Sequence, residues 1–274
     1  MKDQLRRAKK GKRYRDRYKV WYKQARYDLK AAESSLSHGF NEWAAFQSEQ
    51  ALEKAIKAIL VHGGWKPPRL HKLQVLMGMA NRVNDNFKKT KFDFRRIESF
   101  TFVSRYPFLI PGQDKSPHEL IAHEDAHKAI EQATKFVDKV AEILKHSVTT
   151  PAETEQEMTD EEIYSPENVH TRLDEVKEVL VKEFKPKKII LFGRFAREEK
   201  LKKPSTMDIL MIAKTDLPFI DRIVRAREVT KGSLPVIEPL VYTPSEFKVM
   251  TEEAGEGFLE NALDEGKVIY EKFS

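Results

Sequence analysis

The segment LFGRFAREEKLKKPSTMDILMIA, residues 191–213, is the part of the sequence that decides the fold class. It starts at the end of an apolar run, meets Gly193, passes through a charged loop and enters a second apolar run. The second run holds one carboxylate, Asp208. Short apolar runs bounded by glycine and charged residues are typical of buried strands. We therefore predict a strand, a glycine turn, a loop and a second strand, in this order.

The sequence on either side of this segment alternates between helical and strand patterns. Apolar residues at helical spacing cover 169–184, with Leu173, Val176, Val179 and Leu180 on one side. Further helices are predicted over 218–230 and from Pro244 onward. Strands are predicted at 187–193, 207–213, 235–243 and near 268–272. Helices mixed with a few short strands indicate an α/β or α+β domain with a small mixed sheet.

Most of the first half of the chain has helical periodicity. The aromatic stretch from Phe92 to Phe108 is predicted to be irregular. Four main helices joined by short connections favour an up-and-down bundle. The first is predicted over Trp21–Leu36 and ends before Gly39. The second is capped by Asn41, runs to Val61 and ends at Gly63 and Gly64. The third covers His71–Val83, and the fourth runs from Ser116–Pro117 to Leu144.

Charge divides the chain further. Residues 1–19 hold ten Lys or Arg against two Asp, whereas the whole chain has a net charge of +6. Residues 149–167 contain seven acidic residues, two prolines and few apolar side chains, a composition typical of a linker. We therefore predict a basic arm (1–19), a helical bundle (20–148), an acidic linker (149–167) and a mixed α/β domain (168–274).

Two interpretations of the basic arm are open. It contacts RNA, DNA or another anionic surface, or it is a solvated tail. The chain has no cysteine, which excludes disulfides and thiolate metal sites. No apolar run approaches the ~20 residues of a membrane span, and the charged N-terminus does not resemble a signal peptide. We expect a cytoplasmic protein with no membrane contact.

Residues 165–274 resemble the minimal nucleotidyltransferase family of the polymerase-β-like superfold. Leu191-Phe192-Gly193 matches the strand and glycine of the family pattern, Asp208 in STMDILMI matches its second aspartate, and Glu238 in VIEPLVYTPSEF matches its third acid. The resemblance implies Mg²⁺-dependent transfer of a nucleotidyl group from a nucleoside triphosphate such as ATP to an acceptor. It places catalysis and metal binding at Asp208 and Glu238, and nucleotide binding at Gly193, Arg194 and Thr206.

Two departures from the pattern bear on activity. Arg194 stands where the family has serine, and Thr206 stands where it has its first aspartate. A neutral hydroxyl is a poor substitute for a carboxylate on Mg²⁺, whereas arginine suits a phosphate. Two hypotheses therefore stay open. The first is a transferase with an incomplete carboxylate set, and the second is a non-catalytic nucleotide-binding or regulatory module of toxin–antitoxin type.

Residues 15–147 resemble the HEPN family, a helical bundle often fused to such nucleotidyltransferases. The resemblance lies in a stripe of Gln50, Glu53, Lys54 and Lys57, in RLHKL, and in SRYP. It implies a helical bundle and a homodimer formed through it. Many HEPN proteins are ribonucleases that carry an arginine followed, after four to six residues, by a histidine. None of the eight histidines here has that arginine, so the motif is missing.

Smaller features of the first half keep two readings each. The stripe can bind a phosphate or ribose together with Arg105-Tyr106-Pro107, or Glu53 and Lys57 can form a helical ion pair. HEDAH places His123 and His127 at the spacing of a zinc-protease motif. Exposed surface residues are the favoured interpretation of that pair.

Overall fold

The computed structural model describes residues 16–67, 70–83, 92–105, 115–145, 163–197, 206–232, 234–252 and 263–272. The chain divides into two compact units, Met1–Pro107 with Lys115–Glu155, and Phe108–Asp114 with Gln156–Ser274. The first unit is helical and the second contains a small mixed sheet. The first fifteen residues of the basic arm and residues 149–162 of the acidic linker lie outside the described residues.

The helical unit is organised around its second helix. Fifteen of the 22 residues of that helix are buried, because it packs against α1, α3, α4 and α6. The described helices are α1 (Tyr18–Ser37), α2 (Asn41–His62), α3 (Leu73–Val83), α4 (Arg95–Val103), the short α5 (Pro117–Leu120) and α6 (His123–Lys145). α1 and α6 also pack against each other, so the three long helices share one core.

Three details of the predicted helices were wrong. The stretch predicted to be irregular contains α4, where Ile97, Phe100 and Val103 are buried at helical spacing. The last long helix begins at His123, because Ser116 starts a separate short helix with its own capping box. Asn41 does not cap α2; Phe40 holds the cap position and makes no side-chain hydrogen bond.

The second unit begins with α7 (Pro166–Phe184), inside the range predicted as linker. Ser165 Oγ accepts a hydrogen bond from the Asn168 N–H at 3.3 Å, and Pro166 occupies the first turn, as expected of a helix start. The elements that follow are β1 (Lys188–Phe192), a 3₁₀ turn (Gly193–Phe195), β2 (Met207–Ile212), α8 (Phe219–Val229), β3 (Ile237–Tyr242), α9 (Pro244–Glu252) and β4 (Lys267–Glu271).

The four strands form one mixed sheet in the order β3-β2-β1-β4. β1 is antiparallel to both β2 and β4, and β2 is parallel to β3. α8 connects the two parallel strands, as such a crossover requires. The predicted small mixed sheet is therefore present.

One face of the sheet forms the core of this unit. Met207, Ile209 and Met211 of β2 are buried there with Val176 and Leu180 of α7. Val179 was predicted on the same helix face, but it is 37 % exposed. Because side chains alternate along a strand, Asp208 belongs to the opposite face of β2.

Within the described residues, no helix combines the length and the apolar character that crossing a bilayer requires.

Candidate functional site

Asp208 and Glu238 are direct partners across β2 and β3. The two strands are parallel and lie ~4.8 Å apart, so paired residues point to the same face of the sheet. Both side chains are half-buried. The structure thus brings together the two acids that the sequence singled out, at the end of the sheet where β2 and β3 begin.

Gly193 lies directly beside Asp208. It follows Phe192, the residue that pairs with Asp208 across β1 and β2. Its φ of +70° belongs to the left-handed region, and a Cβ added to it would stand 2.5 Å from Oδ2 of Asp208. Glycine is therefore required here for its backbone conformation and for the close approach of the carboxylate.

The other two predicted binding residues flank this position. Arg194 is exposed and lies in the 3₁₀ turn immediately after Gly193. Thr206 is half-buried and comes one residue before β2. The loop between them, residues 198–205, lies outside the described residues. Thr206 places a hydroxyl where the nucleotidyltransferase pattern has its first aspartate.

Arg227 is a site residue that the sequence analysis missed. It lies near the end of α8, and its guanidinium donates to Oε1 of Glu238. The side chain of Arg227 is 6 % exposed and that of Glu238 is 21 % exposed. An arginine in an amphipathic helix is usually interpreted as a solvated cation in a single sequence, so no local signal pointed to this pair.

The residues present fit a guanidinium better than a pair of divalent ions. Two metal ions need several carboxylate oxygens. Here one oxygen of Glu238 accepts from Arg227, and Thr206 brings no charge. Across the described parts of the chain, no three His, Asp or Glu side chains are grouped to hold a metal.

The helical unit contains a second polar cluster. Lys57 Nζ donates to Glu53 Oε1 at 2.7 Å, and His71 Nδ1 lies 3.0 Å from Glu53 Oε2. Lys57 and Glu53 are almost fully buried, whereas the His71 side chain is 75 % exposed. The helical ion pair considered from the sequence is thus present, and it extends through Glu53 to a surface histidine.

Two further buried acids adjoin this cluster. Glu98 accepts a hydrogen bond from the Leu73 N–H at 2.8 Å and so caps the start of α3 from another helix. Burial raises the pKa of Glu49 to about 8, and the negative charges of Glu53 and Glu98 act in the same direction. Glu49, Glu53 and Glu98 are therefore three buried carboxyl groups of the bundle, and the latter two act on the first.

The other two residues of the stripe, Gln50 and Lys54, are half-buried. Gln50 donates to Glu49, and Lys54 pairs with Asp28 at 2.7 Å. The Arg105 guanidinium lies 5.4 Å from the ring of Phe46, one helical turn before Gln50. Arg105 is therefore near the stripe, while Tyr106, Pro107 and Arg69 lie outside the described residues.

The two histidines of HEDAH are exposed on α6. Glu124, between them, pairs with Lys128 at 2.5 Å. This arrangement is that of a solvated helix face.

Comparison with protein families matches residues 18–144 to the HEPN domain. A Methanocaldococcus jannaschii protein named "Putative toxin MJ1304" is 24 % identical over 137 residues, which cover 46 % of this chain and 88 % of that protein. Residues 18–144 are therefore a HEPN domain.

Two solved structures are also similar to this chain. TT1696 from Thermus thermophilus is 24 % identical and covers 46 % of this chain and 97 % of its own, with a TM-score of 0.38. ST0689, an archaeal HEPN homologue, is 25 % identical with the same two coverages and a TM-score of 0.34.

Proposed function

With residues 18–144 forming a HEPN domain, we propose that this protein is of the toxin–antitoxin type and that its C-terminal unit is a nucleotidyltransferase-like module. In this proposal the module binds the phosphates of a nucleoside triphosphate but does not transfer the nucleotidyl group. The similarity to a protein named as a toxin supports the first part. The arrangement around Asp208 supports the second.

The contact between Arg227 and Glu238 is the observation that carries the proposal. Transfer needs acids that are available to bind metal, and here the third acid of the pattern accepts from a buried guanidinium. The first acid is replaced by Thr206. Two of the three acid positions are therefore altered in a way that opposes metal binding, and the rest of the set is too small to clamp a triphosphate through metal.

The groups that remain can still hold a phosphate. Arg194 is exposed directly after the glycine turn, and a planar guanidinium suits phosphate oxygens. The two negative charges of Asp208 and Glu238 balance the two positive charges of Arg194 and Arg227, so these four side chains have no net formal charge. We therefore expect weak triphosphate binding that does not depend on Mg²⁺.

Calorimetry with ATP and the other nucleoside triphosphates tests the binding. We expect the same affinity in Mg²⁺ and in EDTA, and a several-fold loss in Arg194→Gln. Arg225→Gln is the matched control, because it removes an α8 cation that pairs with Glu183 and Glu228 instead. Absence of any triphosphate binding would refute the proposal.

A transfer assay separates this proposal from an active transferase. Transfer would form a bond between the α-phosphorus and an acceptor oxygen and release pyrophosphate, so the label belongs on the α-phosphate. We expect no labelled protein, RNA or small molecule with Mg²⁺ present. Labelling that disappears in Asp208→Ala would establish the transferase hypothesis, which the convergence of Asp208 and Glu238 keeps open.

The HEPN domain and the basic arm complete the proposal. We expect the arm, residues 1–19, to contact RNA or DNA, and the helical unit to form a homodimer. The eight excess positive charges of the arm are the feature that supports a polyanionic partner.

A further inference from the structure

Arg227 reaches the acid face of the sheet from the helix that connects β2 to β3. That connection brings a cation to the two strands whose second residues, Asp208 and Glu238, are the acids. Two carboxylates on directly paired positions repel each other, and both are half-buried. A positive group is therefore needed beside them for the sheet to be stable.

We infer that Arg227 takes the place of a divalent cation at the Asp208–Glu238 pair. The two acids could bind a cation, and the α8 guanidinium occupies that position. The inference rests on the proposed function only in treating these acids as a nucleotidyltransferase-like set. It adds that the guanidinium of Arg227 is the group that keeps a metal ion from binding to these acids.

The geometry explains why this substitution suits the fold. A guanidinium delivers its charge to a carboxylate through directed hydrogen bonds and needs no additional oxygen ligands. A divalent ion needs about six oxygen ligands. Asp208 is already packed against the Gly193 backbone, and Thr206 adds no charge, so the pair gains more from a cation fixed to the chain.

The inference predicts that removal of Arg227 creates a metal site. Mn²⁺ is the probe, because it accepts the same oxygen ligands as Mg²⁺ and its free-ion EPR signal is lost on binding. In the wild-type chain without nucleotide, the signal should grow in proportion to the Mn²⁺ added. In Arg227→Gln, one ion should bind per chain, about tenfold or more tighter than to the wild type.

Three variants make the result specific. Arg225→Gln removes the same charge from the same helix but faces Glu183 and Glu228, and it should not gain Mn²⁺. Arg227→Gln with Asp208→Asn should lose the gain. Arg227→Gln with Thr206→Asp should bind Mn²⁺ more tightly still, because it supplies a third carboxylate.

Two outcomes would overturn the inference. The first is tight Mn²⁺ binding by the wild type that Asp208→Asn removes, which would mean that Arg227 does not close the site. The second is no gain in an Arg227→Gln chain whose circular dichroism is unchanged. If Arg227→Gln fails to fold, Arg227→Lys, which keeps the positive charge, shows whether the loss of that charge is the cause. The wild-type titration by itself still decides the first outcome.

The two proposals fail separately. Mn²⁺ binding is measured without nucleotide, whereas the proposed function fails through calorimetry with a triphosphate or through labelled product.

Discussion

Gly193 and Asp208 are in such close contact that a Cβ on residue 193 would stand 2.5 Å from Oδ2 of the carboxylate. The glycine turn and the acid are therefore one structural unit, although 14 residues separate them in the chain. Changes at either position should affect both the fold and the proposed phosphate site.

Gly193→Ala should lower the free energy of unfolding of the second unit by about 2–3 kcal/mol. About 1–2 kcal/mol comes from placing a Cβ in the left-handed region, and the displaced Asp208 carboxylate adds to it. Gly39→Ala is the control, because Gly39 has φ +82° with nothing within 4 Å of its added Cβ. Urea unfolding, with each unit followed in its own transition, checks the difference. Equal costs would show that the contact with Asp208 is unimportant.

The buried carboxyl of Glu49 should make the helical unit less stable as pH rises. Its pKa is raised from 4.5 to about 8 in the folded state by burial and by the charges of Glu53 and Glu98, against which Lys72 acts. Between these values the folded chain holds a proton that the unfolded chain has released, so the stability of the helical unit falls as pH rises, by roughly 1 kcal/mol per pH unit.

Glu49→Gln removes that titration while keeping the shape of the side chain. The difference in unfolding free energy between the wild type and this variant should therefore change from about pH 4.5 to about pH 8 and then level off. A difference that is constant with pH would contradict the raised pKa.

Lys57→Met should destabilise the helical unit by about 3 kcal/mol, because it leaves the buried Glu53 carboxylate without its ammonium partner. Replacing both residues with methionine should cost much less, since buried ion pairs are often no more stable than apolar pairs of similar volume. Thermal and urea unfolding of the three chains measure this asymmetry. A double variant as unstable as Lys57→Met would contradict it.

Glu246→Gln should lower the stability of the second unit by about 1–2 kcal/mol. Glu246 accepts hydrogen bonds from Arg222 at 2.6 Å and from the Thr243 N–H at 2.7 Å. The second bond caps the N-terminus of α9. Burial acts to raise its pKa, but these hydrogen bonds outweigh burial, and the pKa is lowered. The stability that it contributes is therefore present above pH 4.5 and is lost as pH falls below that value.

Glu265→Gln provides the comparison for this prediction. It breaks a pair with Arg197 in which both side chains are about half exposed, and such pairs contribute well under 1 kcal/mol. A similar loss in both variants would mean that burial of the Arg222 pair is not what stabilises α9.

Deletion of residues 2–15 should weaken retention of RNA or DNA and flatten its dependence on salt. The deletion stops before α1, so the helical unit keeps all its described elements. Fewer cations release fewer counterions from the nucleic acid, which reduces the slope of log affinity against log salt. Filter binding at several salt concentrations measures the slope. An unchanged slope would assign the arm to the solvated-tail reading.

The type and order of most elements could be predicted from the sequence. Short apolar runs predicted the strands. Apolar residues at spacings of three to four predicted α2, α7 and α8, because side-chain period follows directly from local backbone geometry. It also singled out Gly193, Asp208 and Glu238. α4 was missed although its apolar residues have helical spacing, because its flanking aromatic residues obscured the pattern.

Which side chains meet one another follows from the tertiary fold. Register across β2 and β3 places Asp208 opposite Glu238, and the path of α8 brings Arg227 to the same acid. In the helical unit, packing of α2 joins Glu53 to His71, which lies 18 residues away. Local periodicity tells each residue which face it occupies, but the partner on that face depends on contacts between distant segments, which no short stretch of sequence encodes.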